Sequence, residues 1–333
     1  MIKKIFSKPV AWILIAILII WLITLNAGPK NKRIDYGVTF SEPYAKSLGL
    51  DWKQVYLSAL DDLKLKNIRL SAYWDEVEKQ QDKYDFTDLD FQINQASQRK
   101  VKIVLAVGRR LPRWPECHDP GWIQNLSPAQ EQAVQLTYME AVVRRYQNNL
   151  NVITWQVENE PFLGTFGICP KLDTAFLDKE IALVKSLDPS RPILITDSGE
   201  LNWWFNAGSR GDIFGTTFYR YVFSDVFKRY WTNPIPAWFY RFKAGLLRLV
   251  HPNKQIAIIE LEAEPWTTNG ITSTPIDQQF KTMSLDHFNT ITGVAAATGF
   301  SPQYMWGVEW WYWMKTQNHP EFWEAAKKLI DNQ

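Results

Sequence analysis

From about residue 35 onward the chain alternates between short apolar runs and longer stretches with apolar positions at helical spacing. The apolar runs fall at 37–40, 68–72, 101–107, 152–157, 193–196, 213–218, 256–259 and 304–308. Runs such as VKIVLAV at 101–107 are apolar without alternation, the pattern of a strand covered on both faces. Between them lie amphipathic segments at 52–65, 89–99, 128–146, 174–187, 238–249 and 277–290, which read as helices. The segment joining the fifth and sixth runs, around 201–207, carries the faintest helical pattern. Strands alternating with helices predict βαβ units and a parallel sheet, and eight such units predict a closed (β/α)8, or TIM, barrel of the α/β class.

The N-terminus follows another pattern. Pro9 to Leu25 carry no charge, and AWILIAILIIWLITL is dense in Ile and Leu, with Lys3, Lys4 and Lys8 ahead of it. A membrane span needs about 17–25 such residues. Leu25-Asn26-Ala27 before Gly28 lacks the small residue expected three positions before a signal-peptide cut. The expected organisation is therefore a cytoplasmic tail at 1–8 and an uncleaved transmembrane signal-anchor at 9–27. A linker at 28–34 and a barrel domain at 35–333 follow, with the domain outside the cytoplasm.

Composition narrows the function classes. Of 333 residues 46% are hydrophobic, ample for one large core, and the net charge of +2 with no basic stripe gives no reason to expect nucleic acid. The four His and two Cys are scattered without metal-ligand spacing, so neither metal nor cofactor is expected. Cys117 and Cys169 both fall in loops after strands, on one barrel face, where a disulfide fits an oxidising compartment. The 17 Trp stand out, because indole faces suit the stacking of sugar rings.

In such a barrel the chemistry sits where strands end. The fourth apolar run ends in WQVENEP, placing Glu160 just beyond it between Asn159 and Pro161. A carboxylic acid there can protonate a departing glycosidic oxygen if its surroundings raise its pKa. The seventh run ends in IAIIELEAEPW, where Glu260, Glu262 and Glu264 follow at period two and share one side of an extended chain. Two carboxylates from opposite strands are what glycoside hydrolysis requires. Glu260 is the first choice for the second, with Glu262 and, more remotely, Glu264 as competitors.

On these segments the sequence resembles clan A glycoside hydrolases, the (β/α)8 superfamily that includes β-galactosidases, cellulases, mannanases and xylanases. The resemblance implies retaining hydrolysis of a carbohydrate, with Glu160 as acid/base and Glu260 as nucleophile. It implies that Arg69, in NIRLSAYWDE, supports the nucleophile and that Asn159 binds the sugar 2-hydroxyl. Tyr219, in TTFYRY, would contact the nucleophile, and a Trp of MWGVEWWYW, Trp306 or Trp310, would floor the reactive subsite. GRRLPRWPE is similar to the loop after strand three of the β-galactosidase-like members; His118, just beyond it, and Glu200 are further candidates for substrate contact. A transglycosidase using the same residues and an inactive polysaccharide-binding barrel are the alternatives.

Overall fold

The computed structural model describes residues 8–26, 33–224 and 229–332. Ten strands are present: β1 (Tyr36–Thr39), β2 (Asn67–Ser71), β3 (Lys102–Val107), β4 (Val152–Val157), β5 (Ile193–Asp197), β6 (Ile213–Phe218), β7 (Tyr221–Ser224), β8 (Arg229–Thr232), β9 (Gln255–Glu262) and β10 (Gln303–Trp306). Eight of them close a parallel barrel in the order β1-β10-β9-β6-β5-β4-β3-β2. The eight expected strands are all in it, each within a few residues of its apolar run. β7 and β8 form a separate antiparallel hairpin, inserted between β6 and the helix Ala237–Val250.

Two apolar layers account for the unalternated strands. Inside the barrel, Val104, Leu194, Ile259 and Tyr304 meet across the axis. Outside it, Ile68, Leu105, Trp155, Phe214 and Ile258 pack against the helices. Local signals start those helices. Asp173 caps Thr174–Leu187 by accepting from the N–H of Ala175 and Phe176, and Gln130 reaches back to the N–H of Ser127 at the head of Pro128–Tyr146.

Three expectations need correction. The segment at 277–290 is two helices, Ile276–Gln279 and Leu285–Ala296, because Ser284 caps a new start at the N–H of His287. The fifth helix is only the turn Phe205–Gly208. The seventh barrel strand, β9, runs on through Glu262 instead of ending at Ile259. It also bulges. Thr216 pairs with Ile258 but Thr217 with Glu260, and Gln303 pairs with Ile258 but Met305 with Leu261. One extra residue in β9 thus lets Ile259 and Glu260, neighbours in sequence, both face the barrel interior.

Helix Lys8–Asn26 occupies the expected span, with Trp12, Ile13, Leu14, Ile17 and Leu18 exposed. Among the described residues no helix is long and apolar enough to cross a membrane. The side chains described here are those of 10–22, about 20 Å of helix. Apart from Lys8, the basic tail lies outside the described residues, as does most of the linker at 28–34.

The barrel mouth is fastened by a disulfide and a carboxylate. Cys117, after β3, is bonded to Cys169, after β4, closing a loop of 52 residues; a cross-link of that span contributes about 4 kcal/mol in the chain-entropy account. Glu158 accepts from the backbone N–H of Arg109 and Arg110, fixing the chain as it leaves β3. Gly108 makes room for that carboxylate: its φ is +135°, and a Cβ there would lie 2.3 Å from Glu158 Oε1. Gly108→Ala should therefore cost about 2–4 kcal/mol, as strain plus a displaced buried carboxylate. Denaturant unfolding of the variant checks this, and an unchanged midpoint would refute it.

Candidate active site

Arg69 is the hub of the barrel mouth. It springs from the middle of β2 with no exposed surface and spends its guanidinium on four partners. Nε donates to Gln156 Oε1 at 2.8 Å, Nη1 to Glu260 Oε1 at 3.0 Å and to the Ile259 carbonyl at 3.4 Å, and Nη2 to Asn159 Oδ1 at 2.7 Å. The other oxygen of Glu260 accepts from the Tyr219 hydroxyl at 2.9 Å. Glu260 is thus buried and held at both oxygens, one by a cation and the other by a phenol.

Glu160 sits in the opposite environment. It is buried, with a φ of 43° just past β4, and its N–H donates to Thr196 Oγ1 at 2.7 Å. Its Oε1 has no partner. Burial comes first, and the charges of Glu260, Glu116 and Glu200 next, in raising its pKa well above the ordinary carboxylate value. A carboxyl with a raised pKa and an unpartnered oxygen, near a second carboxyl clamped by a cation, is an arrangement suited to acid-assisted displacement.

The period-two competitors are occupied elsewhere. Glu262 accepts from the backbone N–H of Arg220 and Tyr221, bracing the turn between β6 and β7, and burial pushes it up to about 8. Glu264 pairs with Arg113. Neither has a bond to Arg69 or Tyr219 among the described contacts. Glu200 accepts from the N–H of Tyr219 at 2.9 Å and the Tyr240 hydroxyl at 2.7 Å, so it positions Tyr219 from behind.

Two sequence candidates do not reach this centre. Trp310 has no exposed surface; its indole N–H donates to Gln279 and its ring packs on Phe322, because the helix Val308–Thr316 turns that side inward. His118 is buried against Tyr73, with Nε2 3.1 Å from the Arg113 carbonyl oxygen, so it holds a loop. Trp306 does end β10 at the mouth, but the Arg113 guanidinium lies 4.1 Å from its ring centre, sandwiched between it and Tyr44.

Residues the sequence reading passed over complete the site. Arg113 bonds Glu264 and Glu309 while stacked on Trp306. Glu116 is buried, accepts from Asn159 Nδ2 at 3.2 Å, and is pushed up to about 8 by burial and then by Glu260. Trp114, 63% exposed, begins an edge-to-face chain through Phe166 and Trp266 to Tyr219, an aromatic rim leading to Glu260. These residues lie on loops, where neither period nor strand parity marks which way a side chain faces.

The raised carboxyls set a stability profile. Glu42 and Glu309 stand at about 7 and Glu116 and Glu262 at about 8, all above their unfolded value near 4.5. In that window the folded state binds more protons, so stability is full near pH 4.5 and falls as pH rises to 8. Asp61, Asp62 and Asp188 are lowered by Arg or Lys partners or by hydrogen bonds, and so remove stability as pH drops below about 4. The melting temperature should peak between about pH 4.5 and 6.5 and fall toward pH 8.5; a scan that rises across pH 6–8.5 would contradict this.

Comparison with known proteins bears on the fold and the family. Residues 39–239 match the model of the cellulase family, glycosyl hydrolase family 5. A 72-residue stretch is 36% identical to a probable mannan endo-1,4-beta-mannosidase A of Aspergillus niger, covering 20% of this chain and 17% of that protein. Among solved structures, xylanase 10B of Thermotoga petrophila, in complex with xylobiose, superposes with a TM-score of 0.55 at 16% identity, over 93% of this chain and 96% of that one. A β-galactosidase of Rahnella sp. R3 gives 0.61 at 12% identity, over 92% and 56%. At such identities the structural likeness speaks for the fold. The family match covers more than half of the sequence, β4 and Glu160 beyond its end included, so this chain belongs to the cellulase family, glycosyl hydrolase family 5, a family of O-glycoside hydrolases.

Proposed function

We propose that the protein hydrolyses a β-linked poly- or oligosaccharide by double displacement, retaining configuration at the anomeric carbon. The observation that carries this reading is the contrast between Glu160, buried with a free Oε1, and Glu260, clamped by Arg69 and Tyr219. In the first step a Glu260 oxygen attacks the anomeric carbon while Glu160 gives its proton to the departing glycosidic oxygen. In the second, Glu160, now a carboxylate, takes a proton from water as that water displaces Glu260. Arg69 and Tyr219 hold Glu260 in place, and Arg69 holds the Asn159 amide beside it. The rim of Trp114, Phe166 and Trp266 offers flat faces to further sugar units, in keeping with the polymer named for the mannosidase relative.

Glu160→Ala should lose about 10²–10⁴-fold in kcat on substrates with poor leaving groups and little on activated aryl glycosides. Glu260→Ala should be inactive, with azide restoring turnover as a glycosyl azide of inverted configuration. The reading fails if Glu262→Ala is the dead variant, or if the first sugar product seen by proton NMR has the inverted anomeric configuration.

We further propose that helix Lys8–Asn26 anchors the chain in a membrane, with the barrel on the extracytoplasmic side. Its outward Ile, Leu and Trp side chains, the lysines ahead of it and the Cys117–Cys169 bond, which suits an oxidising compartment, support this. The full chain should stay with membranes after alkaline carbonate washing, whereas a chain starting at Arg33 should be released. Release of both would rule out the anchor.

A further inference from the structure

We propose that Glu116 is a specificity-determining residue: with Asn159 it forms a donor–acceptor pair that reads the hydroxyl on C2 of the sugar under attack. The substrate class is then a neutral 2-hydroxy glycoside and not a 2-amino or 2-acetamido sugar. This rests on Glu260 being the nucleophile, as proposed above.

The amide of Asn159 has one possible orientation. Its Oδ1 accepts from Arg69 Nη2 at 2.7 Å, Gln156 Nε2 at 3.2 Å and Thr196 Oγ1 at 3.3 Å, so Nδ2 is turned the other way. There it meets Glu116 Oε2 at 3.2 Å. One guanidinium holds both Asn159 and Glu260, and Glu116, on the Nδ2 side, lies near enough to Glu260 for their charges to interact, so the Asn159–Glu116 pair borders the carboxylate proposed to attack C1. Of the two ring neighbours of C1, the ring oxygen has no hydrogen to give. A hydroxyl on C2 can both accept from Nδ2 and donate to Oε2, using both partners at once. An ammonium has no lone pair for Asn159, and an acetamido N–H can donate but its nitrogen does not accept.

Glu116 is also built to stay where it is. It is 4% exposed, its backbone φ is +73°, its N–H donates to the Arg113 carbonyl at 2.8 Å, and its own carbonyl accepts from Leu111 at 2.7 Å. The next residue, Cys117, is fixed by the disulfide. Its nearest cation, Arg110 Nε, lies at 3.8 Å, beyond hydrogen-bond reach, and that nitrogen has no other partner. Oε2 therefore keeps capacity to accept from a ligand whether or not the carboxyl holds a proton, since a protonated carboxyl retains its carbonyl oxygen.

The test is a pair of azasugars carrying nitrogen in place of C1, one with and one without the hydroxyl at the C2 position, titrated into the full chain by calorimetry. Wild type should bind the hydroxylated member on the order of 10- to 100-fold more tightly, as expected for one or two net hydrogen bonds in a buried site. In Glu116→Ala that ratio should fall at least tenfold, while affinity for the deoxy member changes less than about threefold. Glu116→Gln, which keeps a carbonyl acceptor, should retain most of the ratio. Equal weakening of both ligands in Glu116→Ala would show that Glu116 supports the site as a whole and does not read the C2 hydroxyl, and would overturn the proposal. So would a wild-type protein without preference, one that binds neither ligand, or one that binds a 2-amino or 2-acetamido analogue more tightly. Azide rescue of Glu260→Ala scores the double-displacement reading separately, so either can fail while the other stands.

Discussion

A guanidinium with no access to water must find an acceptor for nearly every N–H, and Arg69 imposes that demand on the barrel mouth. Its partners come from two other strands or their ends: Gln156 and Asn159 on the β4 side and Glu260 with the Ile259 carbonyl on β9. Removing one partner of such a buried pair costs about 3–5 kcal/mol, because the charge left behind is uncompensated. The geometry of the reacting groups is thus tied to the stability of the barrel itself. A planar, five-donor group can do this where a lysine cannot.

Around that hub the chain has buried far more carboxyls than the chemistry uses. Glu158 and Glu180 lie together on Gln135, with Glu158 also capping two backbone amides; Glu262 caps two more; Glu264 and Glu309 share Arg113. These groups build the loops. A βα loop cannot satisfy its N–H groups with a sheet ladder, and an inward carboxylate offers two oxygens to adjacent amides without needing water. Paired with Arg or shared with a second carboxyl, each is removed from competition at the reacting centre. Glu160, by contrast, keeps a buried oxygen, Oε1, with no partner among the described residues.

The barrel was legible because strands buried on both faces need continuous apolar residues, and no other element in this chain has them at that length. Glu160 was legible from Asn159 and Pro161 at the end of one such run. Glu260 could be named but not separated from Glu262 and Glu264, since strict alternation gives all three one side. The hairpin β7–β8 carried no signal, as β8 is exposed and β7 only half-buried. Trp310 and His118 were misread because sequence shows residue type and not direction: an indole that satisfies its N–H inside the core looks the same in the sequence as one that floors a subsite. Glu116 was passed over in favour of its neighbour Cys117, in a loop where turns with positive φ, at Arg113 and Glu116, erase any periodicity.

The extra residue in β9 has a consequence for how such a site can change. Because Ile259 and Glu260 both face inward, the first plugs the barrel while the second meets Arg69, and the strand keeps its outer contacts on either side. A single-residue deletion there would leave a chemically plausible sequence with regular alternation, yet turn either the plug or the carboxylate outward. Position along the strand is therefore inherited as a unit with the irregularity. In this barrel, conserving the glutamate without conserving the spacing ahead of it would conserve nothing of its chemistry.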